Sequence, residues 1–233
     1  MNHLDHTVGE IAQFNSNVLP VFLKYGIDFY CKGKNTLPEA CALAACDLNI
    51  VQKELDEALQ APPEESQSFN ALPIDELITH IVAKHHFYVN QSVPEITALF
   101  QQIPAVEQTS DLQKIKELFR LLANDMKQHM QKEELGLFPF IKKLQNLKAE
   151  SQTKTSSVQS LISVVEFEHD TSGMVLKQLV TLRKRITSAN HLSENLKLLF
   201  AKLQEFEADL IMHIHVENNV LHKKTIELEQ SLA

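Results

Sequence analysis

The chain has 233 residues, 44% of them hydrophobic and 22% charged, with a formal net charge of −8 at pH 7. That is enough apolar material for one large core or two smaller ones, while the negative charge excludes nucleic acid as a main partner, since neutralising phosphates needs a basic surface. With only 5 Gly and 8 Pro, turns are scarce, and long helices are favoured over a strand-rich fold.

The three cysteines, Cys31, Cys41 and Cys46, all lie near the N-terminus. An odd, sparse set is no disulfide framework and suits a reducing compartment. The opening MNHLDHTVGE has neither a basic stretch nor an apolar run, so no signal peptide is expected there. No run of about 18 apolar residues occurs, so no membrane span is expected, and the cytoplasm is the expected location.

Residues 1–60 read as a small helical, cysteine-bearing domain. Val8, Ile11 and Ala12 fall at helical spacing within Leu4–Phe14, and Asn15–Asn17 interrupts them. A short helix over Val18–Tyr25 follows, with Pro20 in its first turn and Gly26 as its stop. Thr36 with Glu39 forms a capping box opening a helix to about Cys46; Asn49 with Gln52 has the same spacing and opens another to about Gln60. The helix–turn–helix spacing invites a DNA-binding reading, but the last helix, VQKELDEALQ, is acidic. Residues 61–72 begin with APPEESQSFN, which by composition is a linker.

Residues 73–233 hold four amphipathic segments. The first starts near Pro73 and puts Leu77, Ile78, Ile81, Val82, His85, His86 and Val89 on one face; Pro94 is expected to kink or break it before about Ile103. The second runs from about Asp111 with Ile115, Phe119, Leu122, Met126, His129 and Glu133 in register. After a polar loop over Asn146–Ser157, the third carries Val158, Ile162, Val165, His169, Leu176 and Leu179, and Thr187–Ser193 is the next loop. In the fourth, Leu196, Leu203, Leu210 and Glu217 share one heptad position, and Leu199, Phe206, His213 and Val220 another. The expected fold is therefore all-α: an up-down four-helix bundle behind a small helical domain.

Histidine is abundant, at 11 residues. His129 with Glu133 and His213 with Glu217 each stand four apart on a helix, where Cβ atoms lie about 5–6 Å from one another. Both pairs continue apolar seams, where ionisable groups are rare without a partner or a metal. His169 extends the face of the third segment and His86 that of the first, although periodicity alone does not choose between His85 and His86. Four imidazoles and two carboxylates suit two metal ions with each carboxylate spanning the pair, and such donors fit iron before zinc or manganese. His215, two residues past His213, is expected at the surface; His80, His191 and His222 are expected to be solvated or to back the ligands. Gly173, one turn after His169, marks close helix packing or a weak point in the helix.

The stretches HMQKEELGLFPFI, EFEHD and HIHVENNVL resemble the hemerythrin-like di-iron domain of the repair-of-iron-centres (YtfE-type) family, and YGIDFYCKGKNTLPEAC resembles the small domain that precedes it there. The resemblance implies two iron ions in an oxo- or hydroxo-bridged centre, with His86, His129, His169 and His213 as terminal ligands and Glu133 and Glu217 bridging. It implies a protein that restores iron–sulfur clusters damaged by nitric oxide or oxidants, by donating iron; the sequence leaves the oligomeric state open, with a homodimer as one candidate. Rival readings are a nitric oxide reductase at that centre and a non-catalytic module binding oxygen or nitric oxide. Asp125 and Glu168, beside the ligand positions, are candidates to carry protons or escort iron. The family's Cys-Cys-Gly-Gly is replaced by Tyr30-Cys31-Lys32-Gly33, leaving Cys31 as the one candidate for a redox role at that position. Its Leu-Phe-Pro after the last glutamate reads Leu221-His222-Lys223.

Overall fold

The computed structural model describes residues 3–60, 69–146, 157–188 and 192–232. Among these, regular structure is helical throughout, apart from an isolated antiparallel bridge between Thr7 and Thr36. Most of the expected linker and inter-helix loops, and His191, lie outside the described residues. By contact the chain forms two compact units: residues 1–77 with 214–231, and residues 78–213 with 232–233.

The first unit opens with α1 (Val8–Phe14), whose cap is reciprocal. The Thr7 amide donates to Glu10 Oε2 at 2.9 Å, and the Glu10 amide to Thr7 Oγ1 at 3.3 Å. Next comes α2 (Leu19–Tyr25), closed by Gly26 at φ 69°, a left-handed turn that glycine adopts without a Cβ clash. Then α3 (Leu37–Leu43) starts from the expected Thr36–Glu39 box. The next helix, α4 (Leu48–Gln60), starts one residue before the predicted Asn49 cap. Asp47 does the capping instead, its Oδ1 accepting from the Asn49 and Ile50 amides at 2.8 and 3.2 Å; a carboxylate immediately ahead of the helix satisfies two amides at once. Val8, Ile11, Phe22, Ile27, Phe29, Leu37, Val51 and Leu55 fill the core.

The end of the chain belongs to this unit. The last helix runs without a break through α10 (Glu194–His215), a π-helical turn at Val216–Leu221 and α11 (His222–Ser231). Asn218 Nδ2 donates to the Tyr30 carbonyl at 3.0 Å, and Asn219 Nδ2 to the Phe29 carbonyl at 2.9 Å. Gly9 and Gly33 permit this approach, for a Cβ on Gly9 would lie 2.5 Å from Asn219 Oδ1, and one on Gly33 would meet the same atom.

The first long helix of the bundle is continuous from α5 (Ile74–His80) through a π-helical turn at Ile81–His86 into α6 (Phe87–Gln101). Pro94 sits inside α6 and does not break it. Both Pro94 and Asn90, whose carbonyl loses its helical donor, are exposed, where a freed acceptor costs least. The second segment is α7 (Ser110–Lys132), a π turn at Glu133–Leu137 and α8 (Phe138–Gln145); the third is α9 (Val158–Thr187). Phe119 joins three segments, with ring centroids 5.8 Å from Phe100 and 5.4 Å from Phe206. This is the helical bundle expected from the four apolar faces. Its one buried guanidinium among the described residues, Arg183, is paired two-pronged with buried Glu207 (Nε to Oε1 2.8 Å, Nη2 to Oε2 2.5 Å), so neither charge is stranded.

Candidate metal centre

The bundle's apolar seams carry His86, His129, Glu133, His169 and His213 inward, each at most 1% exposed. Glu217, also fully buried, follows His213 by one turn of the same helix. The ligand atoms fall into two groups, each drawn within 4.8 Å: His86, Glu133, His213 and Glu217 in one, His129, Glu133, His169 and Glu217 in the other. Both carboxylates belong to both groups. Glu133 divides its oxygens, Oε2 lying 3.4 Å from His86 Nε2 and Oε1 3.2 Å from His129 Nε2. His129 and His169 bring their Nε2 atoms to 2.9 Å of each other.

Two of the imidazoles are aimed by carboxylates. His86 Nδ1 donates to Glu134 Oε1 at 2.7 Å, and His129 Nδ1 donates to Glu168 Oε2 at 3.0 Å. A proton fixed on Nδ1 leaves the Nε2 lone pair facing the other ligands, which is how metal-binding imidazoles are oriented. Burial alone would raise the Glu168 carboxyl, but its bonds to Lys132 and His129 outweigh that and hold it below its usual value. Buried nitrogen and carboxylate oxygen donors, with no sulfur among them, fit a borderline cation such as iron.

His85 is buried too but stands outside both groups. Its Nδ1 donates to Asp209 Oδ1 at 2.8 Å, and its ring lies parallel to that of His213 at 5.5 Å. It therefore braces one of the expected ligands from behind. Cys31 is half-buried in the first unit and also outside both groups. A cleft of about 250 Å³ opens beside His129, lined by Asp125, Lys132, Phe167, Glu168 and Ser172, so the two acids singled out from the sequence share one cleft.

One expectation fails. His215 is not at the surface but 2% exposed, packed edge-on to Phe29 at 5.3 Å and bonded through Nδ1 to the Asn219 amide at 3.0 Å. Of the two settings expected for His222, its burial at 1% exposure removes the solvated one. Both sit where the last helix is covered by the small unit that it completes, which a helical-wheel reading of the bundle alone does not see. Half-buried His80 packs edge-on to His85 at 5.6 Å.

The sequence reading missed the three π-helical turns. Each carries an expected ligand: His86 ends the first, Glu133 opens the second, and Glu217 is the second residue of the third. Such turns gather at functional sites, because the wider turn re-aims side chains that an α-helix would place elsewhere. Glu134 and Asp209 were missed as well, although one adjoins Glu133 and the other stands four residues before His213.

Fold and site together define a cation-binding helical bundle. The chain belongs to the family described as the hemerythrin HHE cation binding domain, which it matches over residues 77–225. Residues 4–59 match ScdA_N, described as a domain of unknown function (DUF542). Similar proteins include one from Musicola paradisiaca (strain Ech703), 29% identical over 97% of this chain and 98% of its own length. Others, from Escherichia coli O1:K1 / APEC and Escherichia fergusonii, are 28% identical over 97% of this chain and 99% of theirs. All three carry the name iron-sulfur cluster repair protein YtfE.

Proposed function

We propose that this protein repairs damaged iron–sulfur clusters by holding two iron ions in its bundle and passing iron to the client. Glu133 is the observation that carries the reading: one buried carboxylate turns each oxygen toward a different imidazole, the disposition of a group bridging two cations. In this reading His86 and His213 hold one ion, His129 and His169 the other, and Glu133 and Glu217 span them. Bound iron would supply open coordination positions for oxygen, nitric oxide or an exchanging ligand. The relatives' shared name and near-complete overlap support cluster proteins as clients.

The chain's own residues supply the rest. Glu134 and Glu168 keep the His86 and His129 protons on Nδ1. Asp125 and Glu168 line the cleft beside His129 and offer oxygen donors to a departing cation, while Lys132, bonded to Glu168, limits the negative charge there. Residues 1–60 form the domain through which clients dock or Cys31 exchanges electrons, residues 73–233 the bundle, and the assembly is a homodimer in the cytoplasm.

The test is reactivation of an iron-depleted cluster enzyme by the iron-loaded protein. The native protein is expected to restore activity and Glu133→Leu to fail; equal rescue by that variant sinks the proposal. Catalytic consumption of nitric oxide to nitrous oxide, with iron retained and no rescue, would replace donation by reduction.

A further inference from the structure

We propose that Cys41 and Cys46 form a reversible redox pair, a dithiol that closes to an intrachain disulfide by exchange with an organic disulfide. It lies in the small unit and draws on none of the six expected metal ligands.

The placement follows from how α3 ends. The Cys46 amide donates to the Cys41 carbonyl at 3.0 Å, and the Ala45 amide to the Ala42 carbonyl at 3.2 Å, with Ala45 left-handed at φ 53°. This nested pair of bonds is a Schellman turn, in which the residue after the left-handed position folds back onto the residue that opens the motif. Those two positions ordinarily share an apolar contact; here both are cysteine. The Cys46 thiol lies 3.6 Å from the Cys41 carbonyl oxygen, so the two cysteines meet across this one turn. Glycine is the usual left-handed residue, and alanine there is strained. Ala45 is the only non-glycine residue with positive φ among the described residues, so the turn that brings the cysteines together is held against a local cost.

Exposure divides the roles. Cys46 is half-exposed and Cys41 buried, and burial pushes the Cys41 thiol up to about 12. Cys46, as thiolate, attacks one sulfur of the incoming disulfide and expels the other as a thiolate that solvent protonates. Cys41 then gives its proton to water and attacks the Cys46 sulfur, releasing the second thiol. Two protein thiols are oxidised, and one disulfide is reduced to two thiols.

The metal-loaded protein is equilibrated in buffers of graded oxidised-to-reduced glutathione, followed by thiol counting and peptide mapping. The expected result is joint loss of two thiols with a Cys41–Cys46 crosslink, Cys31 staying free, and the same behaviour in Cys31→Ser. Cys41→Ser stops at a glutathione adduct on Cys46, and Cys46→Ser keeps Cys41 reduced. Three free thiols in the most oxidising buffer, a lasting adduct on Cys46 of the native chain, or a crosslink through Cys31 would each overturn the proposal.

Discussion

Replacing Gly9 by alanine sets two opposing effects against each other. Gly9 is a helical residue, and alanine in a helix interior ordinarily gains about 0.8–1 kcal/mol over glycine. Here the new Cβ would stand 2.5 Å from Asn219 Oδ1 and 2.8 Å from the Gly33 carbonyl oxygen. Something has to move, and overpacking of this kind costs about 1–3 kcal/mol. If Asn219 withdraws, its bond to the Phe29 carbonyl goes too, at about 0.5–1.5 kcal/mol. The clash wins, and a net loss of roughly 2 kcal/mol is expected. For a chain of this size that lowers Tm by about 4–8 °C, readable by calorimetry or urea unfolding. Repeating the substitution in an Asn219→Ala background separates the causes, because the side-chain clash is then gone and only the Gly33 carbonyl remains. The penalty is expected to shrink by about 1 kcal/mol in that background. A Gly9→Ala protein as stable as the parent, or a penalty indifferent to Asn219, would refute the packing described for Phe29–Gly33 on the last helix.

Acid should act through His215. Burial pushes its imidazole down to about 3 from the ordinary value of about 6.5, so the unfolded chain binds the proton more readily. His215 thus contributes nothing to acid sensitivity above pH 6.5, and stability is lost as pH falls from there toward 3, by at most about 1.4 kcal/mol per unit. Metal-free native protein should lose stability faster between pH 6.5 and 4.5 than His215→Gln, and parallel curves would contradict this. Glu134→Ala and Glu168→Ala each free an imidazole from its orienting carboxylate and are expected to weaken metal binding about 10–100-fold without unfolding the bundle, measured by competition with a chelator.

Much of the bundle was legible because its signals are local and repeated. Leu196 to Glu217 and Leu199 to Val220 kept their heptad positions, and every one of those residues is buried. The Thr36–Glu39 box and the Gly26 stop were legible for the same reason: each is decided within four residues. His86 over His85 was not, since the choice turns on a π-helical turn that no periodicity announces. Whether Pro94 would break its helix was not legible, because the cost depends on whether the freed carbonyl is exposed, a property of the folded surface. His215 misled because a helical wheel of the bundle does not show Phe29, against which its ring packs. Nothing in the sequence singles out Asn218 and Asn219; their role emerges only with the carbonyls of Tyr30 and Phe29 beside them.

The most direct test of the metal reading is iron content together with the optical spectrum, taken on protein purified without oxygen and then exposed to air. Two irons per chain, with absorption characteristic of a bridged iron pair developing on oxidation, are expected from two ligand groups sharing Glu133 and Glu217. No iron, or a single zinc, would contradict it, and the repair function built on the paired site would fall with it.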